Sequence, residues 1–445
     1  MILQATINYK SIWKVALPII LSNVALNVIT VTDTVFLGQL NHVALGAAGN
    51  AGIFYFVLIL TGVGLSTGAQ IIMGRRNGEK NFAQIGAIFD QTIYLLSFIA
   101  LLVFLFLHLV APYLLEQITS SPAIYASTIE FLYYRSFGVL FHFLNFVFIA
   151  FYIGTTNTKV LIRTTIVMML VNVFFDYVLI FGHYGFPRME VKGAAIASVL
   201  AEVVAFFYLV GYTKRNAFVK QFELFKFRKI NWEIINKTTK IGSPIMLQNF
   251  LAISSWFIFF VIIEKLGEKE LAISHIIRSI YMVLMIPLFG FSSATNTLVS
   301  NLIGQKREYK VMTLIKRVLV LSLCSTMFLG LLSLLFGKQI IGFYTPDINL
   351  INDAIPTLRV INLTMFFFCI AFILFNGVSG TGNTKVSLLI EATTISIYLV
   401  AAYFIAIEFK ASLPVVWCSE FIYFGLLGLF SLWYLKKGNW RKLKI

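Results

Sequence analysis

The sequence predicts an all-α integral membrane protein with twelve transmembrane helices, arranged as two pseudo-symmetric six-helix lobes. Three observations lead to this fold class: 59% of the residues are apolar and only 12% are charged, the apolar runs are long, and the chain repeats itself at a constant offset of 226 residues. A soluble chain carries about twice this share of charged residues. Apolar runs of roughly 20 residues can cross a bilayer as helices, whose backbone hydrogen bonds are satisfied internally.

Twelve apolar runs follow one another along the chain and are separated by polar breaks. We expect transmembrane helices near residues 12–38, 44–73, 85–111, 126–153, 160–182, 192–213, 241–264, 271–303, 314–337, 355–378, 386–408 and 412–435. No small-residue cleavage site follows the first run, and the run is too long for the apolar core of a signal peptide. We therefore interpret it as a retained span.

Lysine and arginine are distributed unevenly between alternate loops. The segments on the side of the N-terminus hold 26 of these residues, including Lys444 of the tail, and the opposite segments hold 6. Cytoplasmic loops of membrane proteins carry an excess of Lys and Arg, so both termini are predicted to be cytoplasmic. The net charge of +16 is thereby explained by membrane topology, and we expect no nucleic-acid partner.

The longest loop is basic and divides six runs from six. We expect an N-lobe at residues 1–213, a cytoplasmic linker at 214–240 and a C-lobe at 241–445. Pro18 then matches Pro244 at the offset of 226, and the sequence GTTNTKV at 154–160 matches GTGNTKV at 380–386. Because six is an even number, the two halves have the same orientation and should be related by an axis along the membrane normal, as in parallel-repeat transporters.

One acidic side chain, Asp33, lies inside the first apolar run. A carboxylate at membrane depth costs several kcal/mol unless it faces a polar cavity or loses its charge, and such acids usually mark ion or proton pathways. The alternative is an acid that packs between helices and is satisfied by neighbouring hydroxyls. The repeat-equivalent residue is Phe259, so this acid belongs to the first half alone.

Asn172 and Asp176 are four residues apart and share one face of the fifth predicted helix. At about 1.5 Å per residue, Asp176 lies roughly 25 Å along its span and Asp33 roughly 30 Å along the first, so both fall in the outer half of the membrane and could meet. Two carboxylates in a low-dielectric site do not both ionise cheaply, which suits a proton carrier. The same oxygens could instead hold sodium. The alternative is two unrelated acids, each hydrogen-bonded locally.

Other polar groups within the runs are candidates for substrate contacts. Asn23, Asn27, Asn145, Gln248 and Asn249 could line the space between the lobes. Buried acids near the ends of each half could also face a cavity or could make packing contacts; these are Glu202, Glu391 and Glu420. Arg135 is expected to form a structural ion pair, with Glu130 as a possible partner.

Pro18 lies near the start of the first run. Proline removes a helix hydrogen bond and can bend the helix, and such a bend could be coupled to protonation. The alternative is an ordinary proline in the first helical turn, where the missing N–H costs nothing.

Together these residues resemble the multidrug and toxic compound extrusion (MATE) family, and most closely its prokaryotic DinF-like branch. The resemblance covers nearly the whole chain and is carried by four stretches: Leu17-Pro18 with Asp33, the sequence GLSTGAQ at 64–70 followed by GRRNG at 74–78, the repeated GTxNTKV motif, and NVFFD at 172–176. No single motif is specific, but their common offset is.

The resemblance implies a V-shaped transporter that exports organic, often cationic compounds in exchange for a cation. It implies coupling through Asp33, Asn172 and Asp176, with H⁺ as the coupling ion, Na⁺ as the alternative, and no cofactor. It further implies a monomer in the cytoplasmic (inner) membrane of a prokaryote. Another branch of the family uses acids in spans seven and ten; here span seven has only Glu264, at its outer end.

Two other functions remain as alternatives. A flippase for lipid-linked saccharides, from the related superfamily, would have similar halves but a basic cavity. An enzyme is not expected, because the five histidines are scattered and the chain has neither a nucleophile elbow nor a phosphate-binding loop.

Overall fold

The computed structural model describes residues 7–443 and Ile445, and the regular structure of these residues is helical throughout. Lys444 and residues 1–6, which fall within the predicted tail and N-lobe, lie outside the described residues. The first half contains eight α-helices: α1 (Tyr9–Gly38), α2 (His42–Gly78), α3 (Phe82–Leu109), α4 (Ala111–Ile118), α5 (Pro122–Ser136), α6 (Val139–Gly154), α7 (Lys159–Phe181) and α8 (Glu190–Arg215).

The second half contains eight further α-helices: α9 (Trp232–Glu264), α10 (Glu268–Gly304), α11 (Val311–Leu335), α12 (Gly337–Gly342), α13 (Ile348–Gly380), α14 (Thr384–Tyr403), α15 (Leu413–Trp417) and α16 (Ser419–Lys437). A π-helical turn at Phe404–Glu408 extends α14. The short helices α4 and α12 follow the third span of each half.

The described residues include eleven helical segments that are long and apolar enough to cross a membrane. A twelfth span is the pair α5 and α6, which is bent by 53° between Ser136 and Val139. The prediction of twelve spans is confirmed, and each lies where an apolar run predicted it. Several helices extend past their apolar runs, because polar residues at the ends of a span can continue the helix outside the bilayer.

The chain divides into two compact units. One comprises Met1–Ile20 and Leu247–Ile445, and the other comprises Leu21–Met246. These boundaries differ from the predicted lobes: they lie inside α1 and α9, and are themselves separated by the repeat offset of 226 residues. Each unit therefore takes the first part of one such helix from the opposite half of the sequence.

Glycines allow these helix segments to pack closely. In the Leu21–Met246 unit, a Cβ atom added to Gly64 of α2 would lie 2.5 Å from both the N and the Cα of Met246. In the other unit, a Cβ atom on Gly290 of α10 would lie 3.1 Å from the N of Ile20. Gly64 and Gly290 are repeat equivalents, as are Ile20 and Met246, so each half uses the same contact.

We predict that Gly64→Ala destabilises the protein by about 1–3 kcal/mol, the usual cost of overpacking. The new methyl group would meet backbone atoms, which cannot rotate away as a side chain can. Thermal unfolding in detergent measures the effect. Gly49→Ala on the same helix is the matched control, since nothing lies within 4 Å of a Cβ atom there. Equal melting temperatures for the two variants would contradict this packing.

The segment between the halves is shorter than the predicted linker and is folded. Helix α8 ends at Arg215 and α9 begins at Trp232, so residues 216–231 form the connection, here called the strap. The strap lies along α3: the Gln91 side chain donates to the carbonyl of Lys229 (3.0 Å) and accepts from the N–H of Asn231 (2.8 Å). The Phe222 side chain is fully buried and packs edge-on against Phe82.

Asp90 of α3 fixes the middle of the strap. Its buried carboxylate accepts hydrogen bonds from the backbone N–H groups of Phe225 (3.0 Å) and Phe227 (2.9 Å). Both phenylalanines have positive φ, at 62° and 43°, a conformation that non-glycine residues rarely adopt. Convergent N–H groups of this kind form an anion-binding concavity, and here the anion is a side chain of the protein itself.

We predict that Asp90→Ala releases the strap. The substitution removes the acceptor of two backbone hydrogen bonds, and each donor left without a partner costs about 1–3 kcal/mol. Limited trypsin digestion should then cleave after the strap lysines and arginines much faster than in the wild type. Glu223→Gln is the control: Glu223 is an exposed strap residue whose pKa is lowered by its hydrogen bond from Lys226, and its loss should leave the cleavage rate unchanged. Identical digestion of all three proteins would disprove the role of Asp90.

Candidate functional site

The outer ends of α1 and α7 pack together within the Leu21–Met246 unit. Leu37 of α1 and Ile180 of α7 are buried in one apolar cluster, which Val191 and Ala194 of α8 complete. The Phe36 ring lies 5.5 Å from that of Phe181. Asp33 and Asp176 each lie one turn before Leu37 and Ile180, so this packing brings the two acids to the same depth.

The structure brings Asp33, Asn172 and Asp176 together. Asp176 and Asn172 are fully buried and Asp33 is half-buried. Each acid is close enough to interact with the other carboxyl group and with the Asn172 amide. The spacing of four residues on α7 and the matching depth of α1 are therefore sufficient to assemble this predicted cluster.

Many polar atoms of the cluster lack a hydrogen bond of acceptable geometry from the described residues. They are Oδ1 of Asp33, both carboxylate oxygens of Asp176, and Oδ1 and Nδ2 of Asn172. Buried polar atoms in native proteins are nearly always hydrogen-bonded, to protein or to water. The cluster therefore has the capacity to hold a proton, a hydrated cation or the cationic group of a ligand.

The hydroxyl groups on α1 do not satisfy Asp33. Thr34 donates to the carbonyl of Thr30 (2.8 Å), and Thr30 donates to the carbonyl of Leu26 (3.3 Å). Asn27 likewise donates to the carbonyl of Asn23 (2.9 Å). These polar groups bond to their own helix, which disfavours the interpretation of Asp33 as an acid satisfied by neighbouring hydroxyls.

A second polar group in the same unit is built around Glu202 of α8. Arg135 of α5 donates from Nη1 to Oε2 of Glu202 (2.8 Å) and from Nη2 to Oε1, and Nδ1 of His142 on α6 also bonds to Oε1. Tyr55 of α2 lies under the guanidinium, with Cζ of Arg135 4.4 Å from the ring centre. We refer to Tyr55, Arg135, His142 and Glu202 as the arginine network.

The arginine network corrects one expectation and adds a residue that the sequence did not reveal. The partner of Arg135 is Glu202, 67 residues away, and not Glu130. Glu202 is buried in this ion pair rather than being a solitary cavity acid. His142 was not predicted, and only its helical spacing of seven residues from Arg135 hints at a shared face. The Arg135 charge also attracts the carboxylate of Asp33, which connects the network with the acidic cluster.

The predicted substrate residues are dispersed. Asn145 is buried and donates to the carbonyl of Glu202 (3.1 Å), while its Oδ1 lacks a partner among the described residues. Asn23 and Asn27 lie near the start of the Leu21–Met246 unit. Gln248 belongs to the other unit, where it donates to Oγ of Ser387 (2.7 Å). Asn249, in that unit too, is half-buried and its Nδ2 has no partner among the described residues.

Pro18 lies in the interior of α1, nine residues after the helix begins at Tyr9. The interpretation as a first-turn proline is therefore wrong. Pro244 has the same interior position in α9. Each proline lies two residues before a boundary between compact units.

In the second half, aromatic side chains occupy the positions equivalent to the acidic cluster. The rings of Phe259 and Tyr398 lie 5.7 Å apart. Buried acids are present elsewhere in this unit: Glu391 accepts from the hydroxyl of Tyr423 (2.6 Å), and Glu420 accepts from that of Tyr281 (3.0 Å). Neither has a salt bridge within the described residues. Among those residues there is also no group of three His, Cys, Asp or Glu side chains that could hold a metal ion.

A model of the MatE family matches residues 18–178 and matches again at residues 244–404. The two matches cover more than half of the chain and begin 226 residues apart. The chain belongs to the MatE family. MATE proteins are transporters, so this chain is a multi-pass membrane transporter and not an enzyme. The resemblance found in the sequence and the repeat offset are both confirmed.

Curated relatives match the chain over much of its length. A probable multidrug resistance protein NorM of Thermotoga maritima is 26% identical over 446 residues, which cover 97% of this chain and 93% of the relative. The probable multidrug resistance protein YoeA of Bacillus subtilis is 22% identical over 347 residues, covering 76% of this chain and 74% of the relative.

Solved MATE structures share the fold. An outward-facing multidrug resistance MATE family transporter of the MOP superfamily superposes with a TM-score of 0.89 at 18% identity, covering 98% of this chain and 97% of that one. The bent form of the Vibrio cholerae MATE transporter VcmN gives a TM-score of 0.87 at 16% identity, covering 97% and 96%. At these identities the likeness shows the fold alone.

Proposed function

We propose that this MATE transporter exports organic, mainly cationic compounds in exchange for protons, by alternating access, through the N-terminal cluster of Asp33, Asn172 and Asp176. The observation that carries the proposal is the assembly of two carboxyl groups and an amide within the membrane, with five of their polar atoms unpaired by the described residues. Such acids are costly at this depth and mark ion or substrate pathways.

The position of the cluster supports coupling within the first half. Asp33 and Asp176 have Phe259 and Ala402 as repeat equivalents, so the second half has no corresponding acid pair. This arrangement fits the DinF-like branch that the sequence resembles. It favours competition between proton and substrate for one cluster over binding in separate halves.

The identity of the transported compound follows from charge and from the relatives. A pair of acids attracts cations, and the relatives in Thermotoga maritima and Bacillus subtilis carry the name of multidrug resistance proteins. We further propose a monomer in the cytoplasmic membrane of a prokaryote with both termini cytoplasmic, as the Lys and Arg distribution favours.

The choice of H⁺ over Na⁺ rests on the number of oxygen ligands. A hard cation such as Na⁺ needs several oxygens around it, and here the carboxyl oxygens and one amide oxygen are available. A proton needs only one carboxylate, and a second acid beside it favours protonation of one member of the pair. The acid pair also disfavours the flippase alternative, because an anionic lipid-linked saccharide would be repelled.

The decisive experiment uses purified protein in liposomes loaded with a pH-sensitive dye. Adding tetraphenylphosphonium, a lipophilic organic cation, should cause proton movement that requires the protein and does not require sodium. Proteoliposomes that carry Asp33→Asn are the matched control and should show no such movement. Movement of the cation that depends on sodium and leaves the internal pH unchanged would overturn proton coupling.

A further inference from the structure

We propose that His142 and Glu202 form a second proton-binding pair in the N-terminal half, and that Arg135 transmits the charge of this pair to Asp33. The proposal deepens the proposed function and rests on it, since it assigns positioning residues that set when the acidic cluster takes up its proton. Its observations are the shared carboxylate, the unequal exposure of its partners and the charge that links the two groups.

Glu202 is shared by one permanent cation and one that can change its charge. Arg135 binds both carboxylate oxygens, and His142 binds Oε1 as well. Arginine keeps its charge in proteins, whereas histidine changes charge in the physiological range. With neutral His142, Arg135 and Glu202 balance each other. When His142 is protonated, the network carries an extra positive charge.

Exposure gives His142 a route for a proton that the rest of the network lacks. Its side chain is 23% exposed, compared with 11% for Arg135 and 1% for Glu202. Tyr55 contacts both cations, since its ring lies under the guanidinium and is edge-on to the imidazole at 6.3 Å. The Tyr55 hydroxyl is buried and has no partner among the described residues, so it can bind water or the proton donor next to the pair.

The bend between α5 and α6 positions the pair. A Cβ atom on Gly138 would lie 2.6 Å from Oε2 of Glu202 and 2.7 Å from Nη1 of Arg135, so only glycine leaves room for the ion pair. Arg135 lies just before the 53° bend and His142 just after it. Both cations thereby reach one carboxylate from two different helices.

The titratable groups around His142 come from several helices of the same unit: Tyr55 of α2, Arg135 of α5 and Glu202 of α8, with Asp33 of α1 and Asp176 of α7 beyond Arg135. Helix α3 also packs on α6, but its titratable side chains bond elsewhere. Asp90 holds the strap, Tyr94 donates to the carbonyl of Arg228, and His108 bonds to the carbonyl of Phe104.

The sign of the coupling follows from these charges. Arg135 attracts the Asp33 carboxylate and so favours its ionised form. A proton on His142 lessens the neutralisation of Arg135 by Glu202, and therefore opposes protonation of Asp33. By linkage, a proton on Asp33 equally opposes protonation of His142. The two sites then titrate as an anticooperative pair over a broadened pH range.

The experiment follows the Asp33 carboxyl group by infrared difference spectroscopy of the full chain in detergent, between pH 5 and 8. The Asp33 band is identified by its absence in Asp33→Asn. His142→Gln keeps a hydrogen-bonding side chain but cannot acquire a charge, so the midpoint of Asp33 protonation should move to higher pH, by about one unit for charges that interact at moderate effective dielectric. Glu202→Gln leaves the Arg135 charge unbalanced, so the midpoint should move to lower pH.

Opposite shifts from two neighbouring residues distinguish charge coupling from a structural defect, which would move both variants in the same way. His108→Gln is the control and should leave the midpoint unchanged. If Glu202→Gln fails to fold, the shift in His142→Gln alone decides. An unaltered midpoint in folded His142→Gln, or a wild-type Asp33 that does not titrate in this range, would overturn the inference. Transport in liposomes is measured separately, so sodium-driven transport by a protein with the expected shifts would refute only the proposed coupling ion.

Discussion

Asp33→Asn is expected to abolish export while leaving the protein folded. Asparagine is nearly isosteric with aspartate and retains hydrogen-bonding capacity, but it cannot exchange a proton. Cells that produce the variant should be as sensitive to toxic organic cations as cells without the transporter. Protein levels and melting temperatures should match those of the wild type, since an amide beside Asn172 and Asp176 removes a buried charge rather than adding one.

The binding of an organic cation should show the same loss in a second way. In the wild type, affinity should fall as the pH is lowered, because a proton on the cluster removes the negative charge that attracts the ligand. In Asp33→Asn the affinity should be weak and independent of pH over the same range. Reciprocity then requires the bound cation to favour release of the proton.

The control for Asp33→Asn is Asp353→Asn. Asp353 is an exposed acid that forms a salt bridge with Lys269 (2.5 Å), and exposed pairs contribute little to stability. This control should behave as the wild type in resistance and in binding. Wild-type resistance in cells that carry Asp33→Asn, at matched protein levels, would exclude Asp33 from the transport mechanism.

The acidic cluster could be predicted from sequence because it obeys two regular rules. Helical periodicity places Asn172 and Asp176 on one face, and the rise per residue gives the depth of Asp33 and Asp176 in their spans. The twelve spans were predictable for a related reason, since a helix must be long and apolar to cross the bilayer. Both arguments need only local sequence.

Contacts between distant helices could not be predicted in this way. The Arg135–Glu202 pair joins residues 67 apart, and nothing in the intervening sequence specifies it. Glu130 was the expected partner because it is near in sequence and on an adjoining turn. Asp90 is similar: its partners are backbone groups of the strap about 135 residues away, and backbone groups carry no sequence signal.

The boundaries of the compact units were hidden for a different reason. Sequence divides a chain at its polar loops, whereas the units divide α1 and α9 in their interiors. The close approach of Gly64 to Met246 indicates how this happens, because a helix can pack on a partner far from it in sequence wherever a glycine allows it. The repeat offset of 226 nevertheless relates both boundaries, so the rule is symmetric although it is not local.

Arg135→Met is expected to be the most destabilising single change in the first half. The pair with Glu202 is buried, and removing one partner of a buried ion pair typically costs about 3–5 kcal/mol because the other charge remains unpaired. Methionine fills similar space and is apolar, so the loss reports the charge rather than a cavity. Thermal or denaturant unfolding in detergent measures the decrease in stability.

The double variant Arg135→Met with Glu202→Met should recover most of this loss. Apolar residues in place of a buried ion pair are often neutral for stability, because neither charge then needs solvation. Arg188→Met is the matched control: its pair with Glu190 (3.1 Å) is 57% and 47% exposed, and its removal should change the stability by less than about 1 kcal/mol. If Arg135→Met were no less stable than this control, Glu202 would have to be uncharged in the native protein. The arginine network would then be a set of neutral hydrogen bonds, with no charge for Arg135 to carry to Asp33.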